Sequence, residues 1–243
     1  MSGTVQRVGM LTPSSNTVLE PYTSAMFATL GGAASVHFGR FRVVEISMSQ
    51  TSQSQFTLAP ILEAAERLSE AQLGCIAWNG TSASWLGLDN DRDLCDRIEQ
   101  TTGCQATSTV LAYEDHYQRA GIGKLGLVTP YLSEIQDRII ANYAARGIDV
   151  VADRRLEDRG NFSFAEYSPD VIADMVRDVA RAKPEAIAVL CTNFRGAPIA
   201  PALEAELGIP VIDSVSITAA QTLRLVGLDP ARVTGWGSIF ATL

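Results

Sequence analysis

The chain has few residues that bind metals or cross-link the backbone. Among its 243 residues are two histidines and four cysteines, and no two cysteines form a Cys-x-x-Cys pair. Zinc sites and disulfide frameworks need such clusters, so we expect neither. Walker and Gly-x-Ser-x-Gly motifs are also absent, and the one Gly-x-Gly-x-x-Gly match, residues 121–126, leads into a predicted strand instead of following one. The sequence therefore gives no support to nucleotide binding or serine-hydrolase chemistry.

The chain also lacks a positive surface charge and long apolar runs. Its net charge is −8 and its pI is about 4.8, so an acidic surface would repel nucleic acid. No apolar run approaches the roughly 20 residues of a membrane span. The first residues do not resemble a signal peptide, which predicts a cytoplasmic location. The composition, 47% hydrophobic and 19% charged, is typical of a folded protein.

Three stretches of the sequence occur twice. Residues 8–13 (VGMLTP) are echoed by 125–130 (LGLVTP), 74–81 (GCIAWNGT) by 185–192 (EAIAVLCT), and 103–109 by 208–214. Each stretch contains an apolar run that ends in small polar residues. An internal duplication predicts two similar halves that face one cleft.

Apolar strand-like runs alternate with amphipathic segments of helical length. This order predicts an α/β fold with parallel sheets covered by helices. We expect a first half over residues 1–116 and a second over 117–243, with the last residues free to pack back on the first. The pattern predicts strands over 8–12, 35–44, 75–78, 105–109, 125–128, 149–153, 186–190 and 211–212, and helices over 15–30, 58–72, 89–101, 113–120, 132–146, 168–182, 200–207 and 216–226.

Small polar residues follow four of these strands, where parallel sheets bind ligands. The loop Gly80-Thr81-Ser82 is one of them. Its glycine lets the backbone approach a ligand, and its N–H groups and hydroxyls suit an anion. A solvated turn with a helix cap is the alternative interpretation.

The matching loop of the second half is Cys191-Thr192-Asn193. A cysteine at a strand end, beside free N–H groups, favours a thiolate that exchanges protons. The alternative is a small buried hydrophobic residue, as we expect for Cys75, Cys95 and Cys104.

The other matched pair of loops brings Asn16 and Tyr131, whose side chains suit a carboxylate. A helix cap and a packed aromatic are the respective alternatives. Arg40 and Arg42 point to one face of a strand, where a solvated edge is favoured over an anion site. We interpret His37 and His116 as structural.

These motifs resemble the aspartate/glutamate racemase superfamily, in the branch of maleate cis–trans isomerases and arylmalonate decarboxylases. The resemblance rests on residues 12–17 (TPSSNT), 80–82 (GTS), 127–131 (LVTPY) and 189–191 (VLC). It implies two α/β domains related by a pseudo-twofold axis, with the active site between them. It further implies a small carboxylic-acid substrate and neither cofactor nor metal. A homo-oligomer is left open.

Members of this superfamily normally bring one thiol from each half, but here Gly80 stands at the first position opposite Cys191. Similarity to arylmalonate decarboxylases implies that Thr81, Ser82, Tyr131 and Thr192 hold a carboxylate and the enediolate formed from it. Cys191 would then protonate the α-carbon. We therefore expect decarboxylation of a malonate-type diacid, with Gly80 and Cys191 at the catalytic positions.

Other residues are similar to those of maleate isomerases, namely Asn16, Arg40, Arg42 and Asn161. They keep open a maleate isomerase or a racemase that acts on a small dicarboxylate. A carboxylate-binding protein without turnover is the third hypothesis. The expected substrate-binding residues are Asn16, Thr81, Ser82, Tyr131, Asn161, Thr192 and Asn193.

Overall fold

The computed structural model describes residues 5–42 and 58–243, which form two four-stranded parallel sheets. The strands are β1 (Gln6–Pro13), β2 (Ala34–Phe41), β3 (Cys75–Trp78), β4 (Gln105–Ser108), β5 (Lys124–Thr129), β6 (Asp149–Arg155), β7 (Ala186–Val189) and β8 (Val211–Asp213). The helices are α1 (Leu19–Ala28), α2 (Leu58–Ser69), α3 (Ala83–Leu86), α4 (Leu88–Thr102), α5 (Thr109–Ala120), α6 (Ser133–Ala144), α7 (Pro169–Ala180), α8 (Ala200–Leu207), α9 (Ser214–Leu225) and α10 (Ile239–Thr242). Short 3₁₀ turns cover Ser163–Glu166, Ala197–Ile199 and Pro230–Arg232.

The two sheets have the same strand order. The first is β2-β1-β3-β4 and the second is β6-β5-β7-β8, and every pair is parallel. The α/β fold with two similar halves is thus confirmed. The central strands β3 and β7 are wholly buried, as expected for parallel strands covered on both faces.

Several helix ends differ from the prediction because side chains cap the helices. The first helix begins at Leu19 rather than at residue 15, since Asn16 accepts from the N–H groups of Val18 and Leu19. The helix α5 begins at Thr109, capped by Ser108, four residues before the predicted start. Gly121 ends that helix with φ of 67°, as predicted for a C-cap glycine. The predicted end of the second strand, residues 43–44, lies outside the described residues.

The halves interlock through α5 and α9. The Tyr113 hydroxyl on α5 donates to the carbonyl of Ile212 in the second sheet at 2.9 Å. In the other direction, Thr218 on α9 shares a 2.8 Å hydrogen bond with Thr109. The ring of Trp236 lies 5.9 Å from that of Tyr22, so residues near the end contact the first half. The boundary between residues 116 and 117 falls within α5 and remains a prediction.

No helix in the described part of the chain is long and apolar enough to cross a bilayer.

Candidate active site

The carboxyl ends of the central strands of both sheets meet where the two halves join. The loops after β1, β3, β5 and β7 supply the residues of this site, and hydrogen bonds connect them across the halves. All seven expected binding residues are buried, as are Gly80 and Cys191. The structure therefore describes a closed site.

Tyr131 connects the thiol to the first-half loop. Its hydroxyl lies 2.6 Å from Thr81 Oγ1 and is also hydrogen-bonded to the Cys191 thiol. Its ring is packed between Trp85 and Phe164, with centroid distances of 5.3 and 5.6 Å. Tyr131 is thus both a packed aromatic and a polar group of the site. The structure brings Cys191 and Thr81 to the same hydroxyl.

The Cys191 thiol is protonated at neutral pH. Burial raises its pKa to about 12, although hydrogen bonds from Tyr131 and the Asn193 N–H partly offset that rise. The expectation of a thiolate is therefore wrong for this closed site, because desolvation outweighs the nearby N–H groups. A protonated thiol is suited to donate a proton rather than to act as a nucleophile.

Asn16 acts as a helix cap and joins the halves. Its Oδ1 accepts from the N–H groups of Val18 and Leu19 at 3.0 and 2.9 Å. Its Nδ2 donates to Thr192 Oγ1 in the second half at 3.2 Å. The Thr192 hydroxyl in turn donates to the carbonyl of Asn79, which precedes the Gly80 loop. The alternative interpretation of residue 16 as a cap is correct for its amide oxygen.

Asn193 binds the turn that leads into the same helix from the other half. Its Oδ1 accepts from the N–H groups of Thr17 and Val18 at 2.9 and 3.2 Å. Its Nδ2 donates to the Asn161 carbonyl at 2.5 Å, and Asn161 Nδ2 donates to Ser15 Oγ at 2.7 Å. These asparagine side chains therefore bind the protein's own backbone and hydroxyls across the interface between the halves.

Ser82 is the residue before α3, and it lines a cavity of about 340 Å³. Leu86 and Leu94 line the same cavity, together with Trp78 and Asp91. Ser82 thus lies between the Thr81 loop and this cavity.

Arg40 and Arg42 lie outside the buried cluster. Arg40 pairs with Glu20 at 2.8 Å and donates to the Ser14 carbonyl at 2.8 Å, while its side chain stays 40% exposed. Arg42 is exposed. The solvated-edge interpretation therefore describes both arginines. His37 shares a hydrogen bond with Ser35.

A model of the arylmalonate decarboxylase family matches residues 8–240. The chain belongs to this family. It is 25% identical to the maleate isomerase of Nocardia farcinica over 246 residues, which covers 97% of this chain and 95% of that protein. It is 23% identical to the arylmalonate decarboxylase of Bordetella bronchiseptica, covering 74% of this chain and 76% of that one.

The same fold occurs in a maleate cis–trans isomerase mutant of Nocardia farcinica that carries a covalently bound succinylcysteine intermediate. The TM-score is 0.87 at 21% identity, and the match covers 98% of both chains. The sequence resemblance to the branch of maleate isomerases and arylmalonate decarboxylases is thereby confirmed.

Two residues behind the Gly80 loop, Trp78 and Asp91, are not predicted from the sequence to belong to the site. Gly80 packs against the indole of Trp78, and the buried carboxyl of Asp91 lies beside that indole. A tryptophan two residues before the glycine is the one sequence signal of this contact. Within residues 5–42 and 58–243, no three His, Cys, Asp or Glu side chains are grouped to hold a metal ion.

Proposed function

We propose that this protein decarboxylates a malonate-type diacid and that Cys191 donates a proton to the α-carbon. The observation that carries the proposal is a protonated thiol beside the Tyr131–Thr81 pair, with a glycine rather than a second thiol at position 80. The other cysteines lie inside β3, on α4 and just before β4. One thiol supports proton delivery from one face only.

The hydroxyls of Thr81, Tyr131 and Thr192 bind one carboxylate of the substrate in this proposal. In the closed site these hydroxyls bind each other and their neighbours. A carboxylate would replace those contacts and gain charge-assisted hydrogen bonds. The other carboxylate, held away from water, is lost more readily as neutral carbon dioxide. The same donors stabilise the enediolate that remains.

The reaction consumes one proton. The bond between the α-carbon and the departing carboxylate breaks, carbon dioxide leaves, and the electron pair stays in the enediolate. The S–H group of Cys191 then donates its proton to the α-carbon. The thiolate that results accepts hydrogen bonds from Tyr131 and the Asn193 N–H, and it regains a proton from solvent.

The asparagines favour this reaction over chemistry on a dicarboxylate held at both ends. The oxygens of Asn16 and Asn193 are used by the N–H groups of residues 17–19 at the entry to α1. Each of the two amide nitrogens also has a partner within the protein. Arg40 is neutralised by Glu20. The three hydroxyl groups of Thr81, Tyr131 and Thr192, which exchange their partners for the substrate in this proposal, suit one carboxylate better than two.

Carbon dioxide release from a panel of phenylmalonates tests this function. We expect turnover by the native chain and a ~100-fold or greater loss of kcat in Cys191→Ala, the range of general acid catalysis. Cys104→Ala, which changes a buried cysteine just before β4, should keep activity. Absence of turnover with every diacid, or full turnover by Cys191→Ala, would overturn the proposal.

Maleate isomerisation is the second candidate. It is favoured by the similarity to a maleate isomerase over nearly the whole of both chains. Its weakness is chemical, because a thiol with a raised pKa adds poorly to a double bond. Proton NMR of maleate incubated with the protein decides between decarboxylation and isomerisation. Formation of fumarate, without decarboxylation of any malonate, would establish isomerisation.

Binding without turnover is the remaining alternative. A rise in Tm with malonates or maleate, together with no product from either, would support it. The small carboxylic-acid ligand is common to all three hypotheses. The cytoplasmic location and a homo-oligomer stay predictions.

A further inference from the structure

The position of the missing thiol is filled by an aromatic ring. A Cβ atom built on Gly80 would lie 1.8, 2.2 and 2.5 Å from three ring atoms of Trp78. Real Cβ atoms do not approach other atoms so closely, so no larger residue fits at position 80 while the indole stays in place. Gly80 therefore brings no thiol to the site, and its lack of a side chain is also what leaves room for the Trp78 indole.

Two contacts hold the indole against Gly80. Trp78 is the last residue of β3 and is 1% exposed, and its ring lies 5.0 Å from that of Phe41. The buried carboxyl of Asp91 on α4 lies beside the indole and beside Ser108, and both lower the pKa that burial raises. A buried tryptophan packed in this way cannot move aside without losing these contacts.

We propose that Trp78 is a specificity-determining residue, because its indole excludes a side chain from position 80 and so confines proton transfer to the Cys191 face. This inference rests on the proposed decarboxylase function. A racemase needs a proton acceptor on one face of the α-carbon and a donor on the other. With Trp78 in place, a second thiol introduced at position 80 has no room beside the substrate. With a small residue at position 78, the introduced thiol has room beside the substrate.

The packing part of the proposal is tested without any substrate. Thermal unfolding is measured for Gly80→Ala, Trp78→Leu and the double variant, with Gly123→Ala as the matched glycine control. A Cβ on Gly123 would meet one atom, at 3.8 Å. We expect Gly80→Ala to lower Tm by ~5 °C or more in the native background, as overpacking does in a protein of this size, and by much less beside Trp78→Leu. Equal losses in both backgrounds, or a loss no larger than that of Gly123→Ala, would overturn the assignment.

The chemical part uses the proton exchange of an acid that already carries an α-proton. Optically pure 2-phenylpropanoate is incubated in D₂O with the native chain, Gly80→Cys, and Gly80→Cys with Trp78→Ala. Racemisation with deuterium uptake is followed by NMR and chiral chromatography. We expect it to be at least ~10-fold faster in the double variant than in either other protein, because both faces then carry an acid–base group. Circular dichroism verifies folding, and Trp78→Leu replaces Trp78→Ala if the latter is unfolded.

The outcomes separate this inference from the proposed function. If Gly80→Cys alone racemises the acid as fast as the double variant, or if a folded double variant does not racemise it, Trp78 does not determine specificity. If the native chain releases no carbon dioxide from any malonate, the proposed function fails. The unfolding measurements then still decide whether Trp78 excludes a side chain at position 80.

Discussion

Burial of the Cys191 thiol determines its protonation state and therefore its chemical role in this site. Desolvation raises its pKa to about 12, and Tyr131 and the Asn193 N–H offset only part of that rise. A group in this state keeps its proton through neutral pH and releases it only to a strong base such as a carbanionic carbon. The same hydrogen bonds then stabilise the thiolate after transfer.

Alkylation of Cys191 should be slow and strongly dependent on pH. At pH 8 the thiolate fraction is ~10³-fold below that of a free cysteine, so iodoacetamide should react slowly and faster by about tenfold per pH unit up to pH 10. Peptide mass mapping measures the reaction at this residue, with the unfolded chain as reference. Alkylation at the free-thiol rate, or a plateau near pH 8, would contradict the closed site.

Tyr131→Phe removes the hydroxyl that both Cys191 and Thr81 contact. Loss of one hydrogen bond to a charged group costs about 1.5–3 kcal/mol, so we expect kcat/KM for a phenylmalonate to fall by ~10- to 100-fold. Tyr143→Phe serves as control, because that buried tyrosine packs against Tyr117 on α5. An equal effect of the two substitutions would show that the Tyr131 hydroxyl has no specific role in the site.

At the scale of elements, the start of α1 belongs to both halves. The N–H groups of residues 17–19, which lead into the helix, bind Asn16 from its own half and Asn193 from the other. The loop that carries Cys191 is therefore held in place by a helix cap. This arrangement couples the stability of α1 to the position of the thiol.

Asn193→Ala should lower both stability and activity. The loss of a cap costs about 0.5–2 kcal/mol, and the freed loop no longer positions the Cys191 thiol. Ser168→Ala removes the cap of α7, where Ser168 accepts from the Val171 N–H. That control should lower Tm similarly but leave kcat unchanged. If kcat is as high in Asn193→Ala as in Ser168→Ala, the side chain of Asn193 does not position the Cys191 thiol.

The cap of α9 predicts a pH-dependent stability. Burial raises the pKa of Asp213 to about 7, while the N–H groups of Ser216 and Val215 oppose the rise. The folded state thus holds this proton more tightly than the unfolded state does. Its contribution to stability is complete below pH 4 and is lost as pH rises through about 7.

Asp213→Asn keeps a capping oxygen but does not titrate. We expect the variant to match the native chain in Tm at pH 4 and to exceed it by several degrees at pH 8. Thermal unfolding at the two pH values measures this difference. The same difference in Tm between the variant and the native chain at pH 4 and pH 8 would show that Asp213 is ionised at both.

At the scale of the whole molecule, the internal repeat predicted the architecture. The repeated stretches 74–81 and 185–192 contain the equivalent strands β3 and β7. In each half, a buried apolar run that ends in small polar residues forms a central strand followed by a loop at the site. The loops Gly80-Thr81-Ser82 and Cys191-Thr192-Asn193 were likewise found from their place after those strands.

Contacts between distant segments were not predictable from local patterns. Neither the crossing of α5 and α9 between the halves nor the capping of α1 by Asn193 has a signal in the spacing of residues. The expected thiolate was wrong because burial at the join of the halves depends on the assembled fold. The packing of Trp78 on Gly80 likewise needs the tertiary structure.

The stereochemical course of decarboxylation in D₂O tests the central claim most directly. With 2-methyl-2-phenylmalonate, delivery by Cys191 alone predicts a product that carries one deuterium at the α-carbon in a single enantiomer, and no such product from Cys191→Ala. A racemic product, or undiminished turnover by that variant, would contradict proton transfer from one thiol on one face.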